Sequence, residues 1–147
     1  MANKFNVSLE KIIQNFNLEV IYMPKDASEI LIDENDVTRP GLQLMGFYEY
    51  FNPERMQIIG KMEFAYLSTI DEATRYQRLD MLLSQHIPAL IISRELPYFS
   101  EMLELAKKYE VPLLRSKEST SNFIAGLIAF RLYLKSKVDV IPAGNRL

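Results

Sequence analysis

The sequence predicts an α/β fold: a compact single domain with a small mixed or parallel sheet and flanking helices. Two observations carry that expectation. Short apolar runs at 56–59, 89–93 and 111–114 alternate with segments whose apolar residues recur at helical spacing, the rhythm of strands covered by helices. The chain has 147 residues, 48% of them hydrophobic, and a net charge of -2, which suits one soluble domain with a real core. That charge is too small and that apolar fraction too high for a disordered protein.

Taken in order, Leu9, Ile12, Ile13 and Phe16 follow Ser8, a residue type that caps helices, so 8–16 reads as a short amphipathic helix. Residues 18–22 and then 30–32 read as strands, separated by the polar turn 24–29. The segment 36–42 is a shaped connection: Pro40 disfavours helix at Arg39, and Gly41 tolerates a close approach. The aromatics Phe47, Tyr48, Tyr50 and Phe51 follow, and Asn52-Pro53 separates them from a strand at 56–59 ending at Gly60. Thr69 stands three residues before Glu72, the capping-box spacing, and Ala73, Tyr76, Leu79 and Leu83 mark one face of a helix over about 70–85. After the 89–93 strand, Pro97 opens a helix carrying Phe99, Met102, Leu103, Ala106 and Tyr109. A strand at 111–114 and a helix from Ser119 to about Lys137, with Phe123, Leu127, Phe130 and Leu134 on one face, complete the body. Residues 138–147, with Pro142, Gly144 and Asn145, read as a tail: an interdomain linker, an exposed strand or the edge of a piece cut from a longer protein.

Several chemistries are excluded at this level. Without cysteine the chain offers no disulfide scaffold, thiolate nucleophile, cysteine-ligated zinc site or iron–sulfur cluster. The longest apolar run, 87–92, contains Pro88 and falls far short of a membrane span, and the N-terminus lacks a signal-peptide pattern. Near-neutral charge without a basic run argues against a nucleic-acid binder. The five glycines reproduce neither G-x-x-x-x-G-K-[ST] nor G-x-G-x-x-G, so neither phosphate cradle is present. The sole histidine, His86, reads as a solvent-facing helix end rather than a metal ligand, and Asp33, Glu34 and Asp36 as a solvated acidic turn rather than a calcium loop. No G-x-S-x-G elbow or Ser-His-acid relay is discernible, and Glu63, Asp71 and Glu72 read as capping and solvated acids rather than a glycosidase pair. No catalytic residue, cofactor site or metal site is assigned.

What remains is a set of donor clusters: Thr38-Arg39-Pro40-Gly41, Arg55 with Gln57, Arg94 with Glu95, and Arg115-Ser116-Lys117 before Ser119 and Thr120. Arginine forks and hydroxyls near a helix start can hold an oxyanion or a neighbouring domain. Thr38, Arg39, Arg94, Arg115, Ser116 and Thr120 are therefore the candidate anion or interdomain contacts. Phe47, Tyr48, Tyr50 and Phe51 are the candidates for self-association.

Read in order, the segments Val37-Thr38-Arg39-Pro40-Gly41-Leu42, Gly46-Phe47-Tyr48-Glu49-Tyr50-Phe51, Arg55-Met56-Gln57-Ile58-Ile59-Gly60, Glu63, Pro88-Ala89-Leu90-Ile91-Ile92 and Val111-Pro112-Leu113-Leu114-Arg115 carry a resemblance. Over about 7–137 the chain resembles the N-terminal domain of bacterial HPr kinase/phosphorylases. The resemblance implies a cytoplasmic protein of the phosphotransferase system and carbon catabolite repression, and a fold similar to the substrate-binding domain of the Mur ligases. It implies a parent kinase, a transferase that uses ATP and magnesium to phosphorylate a serine of HPr, commonly as a hexamer. The catalytic machinery of such enzymes lies in a C-terminal kinase domain, expected to be absent here. Residues 1–137 are accordingly expected to be a noncatalytic regulatory or assembly domain, and this fragment no enzyme. The alternatives are an autonomous small-anion-sensing module and a self-association domain. The expected partners are the missing kinase domain, other copies in the parent oligomer and, for the parent, HPr; nucleic acid and membrane are not expected.

Overall fold

The computed structural model describes residues 6–33 and 36–145, with residues 138–145 as backbone only. Five strands form the main sheet: β2 (Glu19–Tyr22), β4 (Val37–Thr38), β5 (Met56–Ile59), β6 (Leu90–Ile92) and β7 (Leu113–Arg115). Their order is β2-β7-β6-β5-β4, and β4 through β7 run parallel while β2 pairs antiparallel with β7. The sheet is thus mixed, within the predicted class. The short strands β1 (Val7–Ser8) and β3 (Leu31–Ile32) pair antiparallel beside it.

The alternation of strand side chains builds two cores. Ile59, Leu90, Ile92 and Leu113 face α2 (Gly41–Leu44), α3 (Lys61–Thr69), α4 (Glu72–Leu83) and α5 (Ser100–Tyr109), from which Leu44, Leu67, Leu79, Leu82, Met102 and Leu105 pack back. Met56, Ile58, Ile91 and Leu114 point to the other face, where α1 (Leu9–Phe16) and α6 (Thr120–Asn145) contribute Leu9, Ile12, Phe123 and Leu127. Strands covered on both sides lose the polar half of the alternation. That is why β5 and β6 are buried at every position.

Helix ends follow local chemistry. Ser8 Oγ accepts from Lys11 N at 3.3 Å and starts α1 as expected. Asn17 and Glu110, at φ 52° and 56°, end α1 and α5 in the left-handed conformation, with Leu18 N bonded to Ile13 O and Val111 N to Ala106 O.

Five expectations are corrected. Residues 61–69 form α3, which the sequence reading passed over. The cap of α4 is Asp71, whose carboxylate accepts from Thr74 N at 2.7 Å, while Thr69 Oγ1 donates back to Tyr66 O within α3. Ala73 lies exposed, so the inner face of α4 is carried by Leu79, Leu82 and Leu83. Pro97 stays in the loop before α5, whose N-cap is Phe99. The backbone of α6 continues to Asn145, through most of the predicted tail. Glu34 of the predicted acidic turn lies outside the described residues.

Candidate functional site

Because β4 to β7 are parallel, they leave the sheet along one edge, the edge at which open α/β sheets bind ligands. β4 delivers Arg39 there, β5 Gly60, β6 Ser93 and Arg94, and β7 Ser116. Arg39 sends its fork into Glu63 of α3, with Nε 3.2 Å from Oε2 and Nη2 3.1 Å from Oε1. Glu63 is only 7% exposed, and its Oε1 also accepts the Gly60 amide at 2.8 Å. One carboxylate therefore joins the end of β4, the end of β5 and the first turn of α3. A buried carboxylate held this way satisfies its desolvation cost through charge and hydrogen bonding together.

Gly60 is glycine for reasons of space. A Cβ there would stand 2.6 Å from Thr120 Oγ1 and 2.8 Å from Arg39 Nη2, while its φ of -107° is open to any residue. Beside it Ser93 Oγ donates to Ile59 O at 3.0 Å and lies 3.0 Å from Thr120 Oγ1. Since the Ser93 proton is committed to the carbonyl, Thr120 is the donor of that pair. The knot thus ties α6 to β5 and β6.

The turn after β6 is strained. Arg94 and Glu95 are both left-handed, at φ 58° and 52°, and Leu96 N closes the turn onto Ser93 O at 3.1 Å. Each such residue costs about 1–2 kcal/mol. Arg94 N to Glu118 O and Glu95 N to Ser116 O, both 2.8 Å, hold the turn against the β7–α6 loop. The Arg94 side chain is exposed and forms no hydrogen bond or ion pair among the described residues.

The other predicted contacts are engaged within the chain. Thr38 Oγ1 donates to Gln57 Oε1 at 2.9 Å. Arg115 forks onto Glu19 at 2.9 and 3.1 Å and donates to Leu96 O at 3.2 Å, and the bond to Glu19 raises its already high pKa. Ser116 Oγ accepts from Glu118 N at 3.0 Å. Arg39 and Thr120 converge at Gly60, whereas Thr38 and Arg115 serve separate neighbours. Arg55 pairs with Asp36 at 3.6 Å, and Ser119 caps α6 by accepting from Asn122 N.

The aromatic set divides. Phe47 and Tyr50 are exposed, Tyr50 by 94%, while Tyr48 and Phe51 are half-buried and meet edge to face at 5.4 Å. Burial pushes the Tyr48 phenol up to about 12, against the opposing charge of Arg78. His86 is exposed at the end of α4, at φ 58°, with its ring 6.0 Å from Tyr109.

Sequence reasoning gave Glu63 a cap and missed its place in the knot, along with Gly60 and Ser93. The available signal was an acid three residues after a strand-ending glycine, the spacing of a capping box. Among the described residues no group of three or more His, Asp or Glu is placed to hold a metal ion, and no helix is long and apolar enough to cross a membrane.

Comparison with known proteins adds the relatives. The family model described as HPr Serine kinase N terminus matches residues 7–130. The HPr kinase/phosphorylase of Alkaliphilus metalliredigens is 43% identical over 125 residues, covering 85% of this chain and 40% of that protein. That of Caldicellulosiruptor bescii is 42% identical over 126 residues, 86% of this chain and 40% of the relative. That of Clostridium botulinum (strain Eklund 17B / Type B) is 43% identical over 132 residues, 90% and 42%. The chain therefore spans about 40% of the length of these curated relatives. A crystal structure of the CBS and DRTGG domains from the regulatory region of Clostridium perfringens pyrophosphatase, complexed with diadenosine tetraphosphate, shares the fold. Its TM-score is 0.60 at 16% identity, over 83% of this chain and 46% of that one.

Proposed function

This chain belongs to the HPr serine kinase N-terminal family, and from that premise we propose that it is a noncatalytic regulatory or assembly domain of an HPr kinase/phosphorylase in bacterial carbon catabolite regulation. The observation that carries the reading is the span of the similarity: a 43% match that covers 85% of this chain takes up 40% of the kinase. In this reading ATP and magnesium are bound by the remaining part of the enzyme, which phosphorylates a serine of HPr in the cytoplasm. Residues 1–137 form the domain, and 138–147 connect it to that part. The Arg39–Glu63–Gly60–Ser93–Thr120 knot is then a clamp that fixes the rim of the sheet, so that exposed groups around it meet the rest of the enzyme in one geometry.

The test is deletion of this domain from a full-length enzyme, followed through assembly, effector response, HPr phosphorylation and phosphorolysis. A change in at least one is expected. If all four stay as they were, the regulatory and assembly roles both fall.

The anion-sensing alternative draws less support, since Thr38, Arg39, Arg115, Ser116 and Thr120 are already bonded within the chain. Isothermal titration with inorganic phosphate and phosphorylated sugars tests it directly. A saturable heat that disappears in Arg94→Ala would restore it.

A further inference from the structure

Among the described residues, the buried side-chain polar atoms left without a hydrogen-bond partner are Tyr48 Oη and the Nε atoms of Arg55, Arg75 and Arg78. Arg55 and Arg75 are answered through their other nitrogens, by Asp36 at 3.6 Å and Glu101 at 3.2 Å. Arg78, half-buried on α4, has no hydrogen bond or ion pair among the described residues. Glu49 follows Tyr48 directly in the chain and lies exposed, yet it does not pair with Arg78. A guanidinium partly withdrawn from water without an acid is a cost that folding leaves uncompensated.

The local backbone makes room for that cation. Gly46 sits at φ 98°, and a Cβ on it would stand 2.7 Å from Arg78 Nη1, so glycine lets the guanidinium lie against the chain. Burial keeps the proton on the Tyr48 phenol, which feels the charge of Arg78 and is a second bare donor. The terminal nitrogens of Arg78 are not among the covered atoms and bond to none of the described residues. An incoming group therefore meets the open end of the fork. Around it the surface is apolar. Met45 N and Phe47 N both donate to Leu42 O, at 3.1 and 3.0 Å, and from this tight turn Leu42, Met45 and Phe47 project, exposed by 60%, 61% and 47%. Met81, one turn along α4 from Arg78, is exposed as well.

We propose that Arg78, Gly46 and Tyr48 form a binding site for an oxyanion carried on an apolar body, a carboxylate or phosphate monoester whose charged head takes the open fork while its carbon frame covers Leu42, Met45 and Phe47. The planar fork of arginine matches either head group through two parallel hydrogen bonds. Inorganic phosphate has no frame to bury and gains the head-group contact alone. The inference goes beyond the proposed function and is independent of it, since neither the rim residues nor the remaining part of the enzyme takes part.

The test is proton–nitrogen correlation NMR of the 147-residue protein titrated with phenyl phosphate, benzoate, inorganic phosphate and neutral benzamide, read at the Arg78 Nε–H and at the Gly46 and Tyr48 amides. At least one aryl anion should give saturable shifts at millimolar concentration, the tighter naming the head group, with inorganic phosphate about tenfold weaker. Arg78→Gln should abolish the amide shifts, while Arg94→Ala on the rim should leave them in place. Because Arg78 answers no acid in the described chain, Arg78→Gln should also melt at or above the parent temperature by circular dichroism, where an arginine with a structural role would lose stability. Any of five results would overturn the proposal: no saturable shift from either aryl anion, equal shifts from benzamide, equal affinity for inorganic phosphate, shifts that survive Arg78→Gln or vanish in Arg94→Ala, or a destabilised Arg78→Gln.

Discussion

The rim of the sheet and the outer face of α6 differ in how far folding satisfies the groups they present. The rim collects arginines, hydroxyls and a carboxylate at the ends of parallel strands, the composition of a ligand site, yet those groups answer one another: Arg39 to Glu63, Gly60 to Glu63, Thr120 to Ser93. The outer side of α6 exposes Ala125, Ile128, Ala129 and Leu132, which belong to neither core cluster among the described residues. Interaction capacity is measured by what remains unsatisfied after folding, and polar residues collected at a strand edge do not by themselves supply it.

Breaking the rim should therefore unfold the molecule before it alters anything else. Glu63→Ala leaves Arg39 without its fork partner and the Gly60 amide without an acceptor, and is expected to lower unfolding free energy by about 3 kcal/mol in a urea titration. Gly60→Ala forces a methyl between Thr120 and Arg39, with an expected loss of about 2 kcal/mol. The matched change on the other region, Ile128→Asp, should shift stability by less than about 0.5 kcal/mol. If Gly60→Ala proves as mild as Ile128→Asp, the two regions are not distinguished as described.

A second buried pair sharpens the comparison through pH. Burial opposes ionisation of Glu101, but the hydrogen bond and charge of Arg75, whose Nη2 lies 3.2 Å from Oε2, outweigh it and hold the carboxyl below its ordinary range. A lowered folded-state pKa contributes stability that is complete above the ordinary carboxylate range and is lost as pH falls through the lowered value. Thermal melts taken between about pH 5 and pH 2 should consequently fall less steeply for Glu101→Gln than for the parent. Parallel acid limbs would deny Glu101 that role. Opposite in sign is Glu110→Gly, which relieves the left-handed end of α5 and should raise stability by about 1 kcal/mol in the same urea titration.

Much of the fold was legible from sequence because burial on both faces leaves a plain signature. The runs 56–59 and 89–93 contain β5 and β6, and Ser8 before an apolar period places α1. α3 was not legible: of its nine residues only Glu63 and Leu67 are buried, so no apolar stripe announces it. The α4 boundary was misplaced because Thr69 and Asp71 both suit an N-cap, and only the backbone path decides between them. At the rim, the sequence places Thr38, Arg39, Arg94, Arg115, Ser116 and Thr120 in the segments around strand ends, but whether each is free depends on partners far along the chain. Arg39 meets Glu63 across 24 residues and Ser93 meets Ile59 across 34, distances at which no local pattern speaks. The Phe47 to Phe51 cluster shows the same limit, since adjacent aromatics divide between the core and solvent.

The reading of this chain as the noncatalytic part of its family is tested most directly by incubating the purified 147-residue protein with HPr, ATP and magnesium and measuring phosphoserine on HPr by mass spectrometry. No phosphoserine above the enzyme-free control is the predicted result. Time-dependent phosphorylation that scales with the amount of this protein would contradict it.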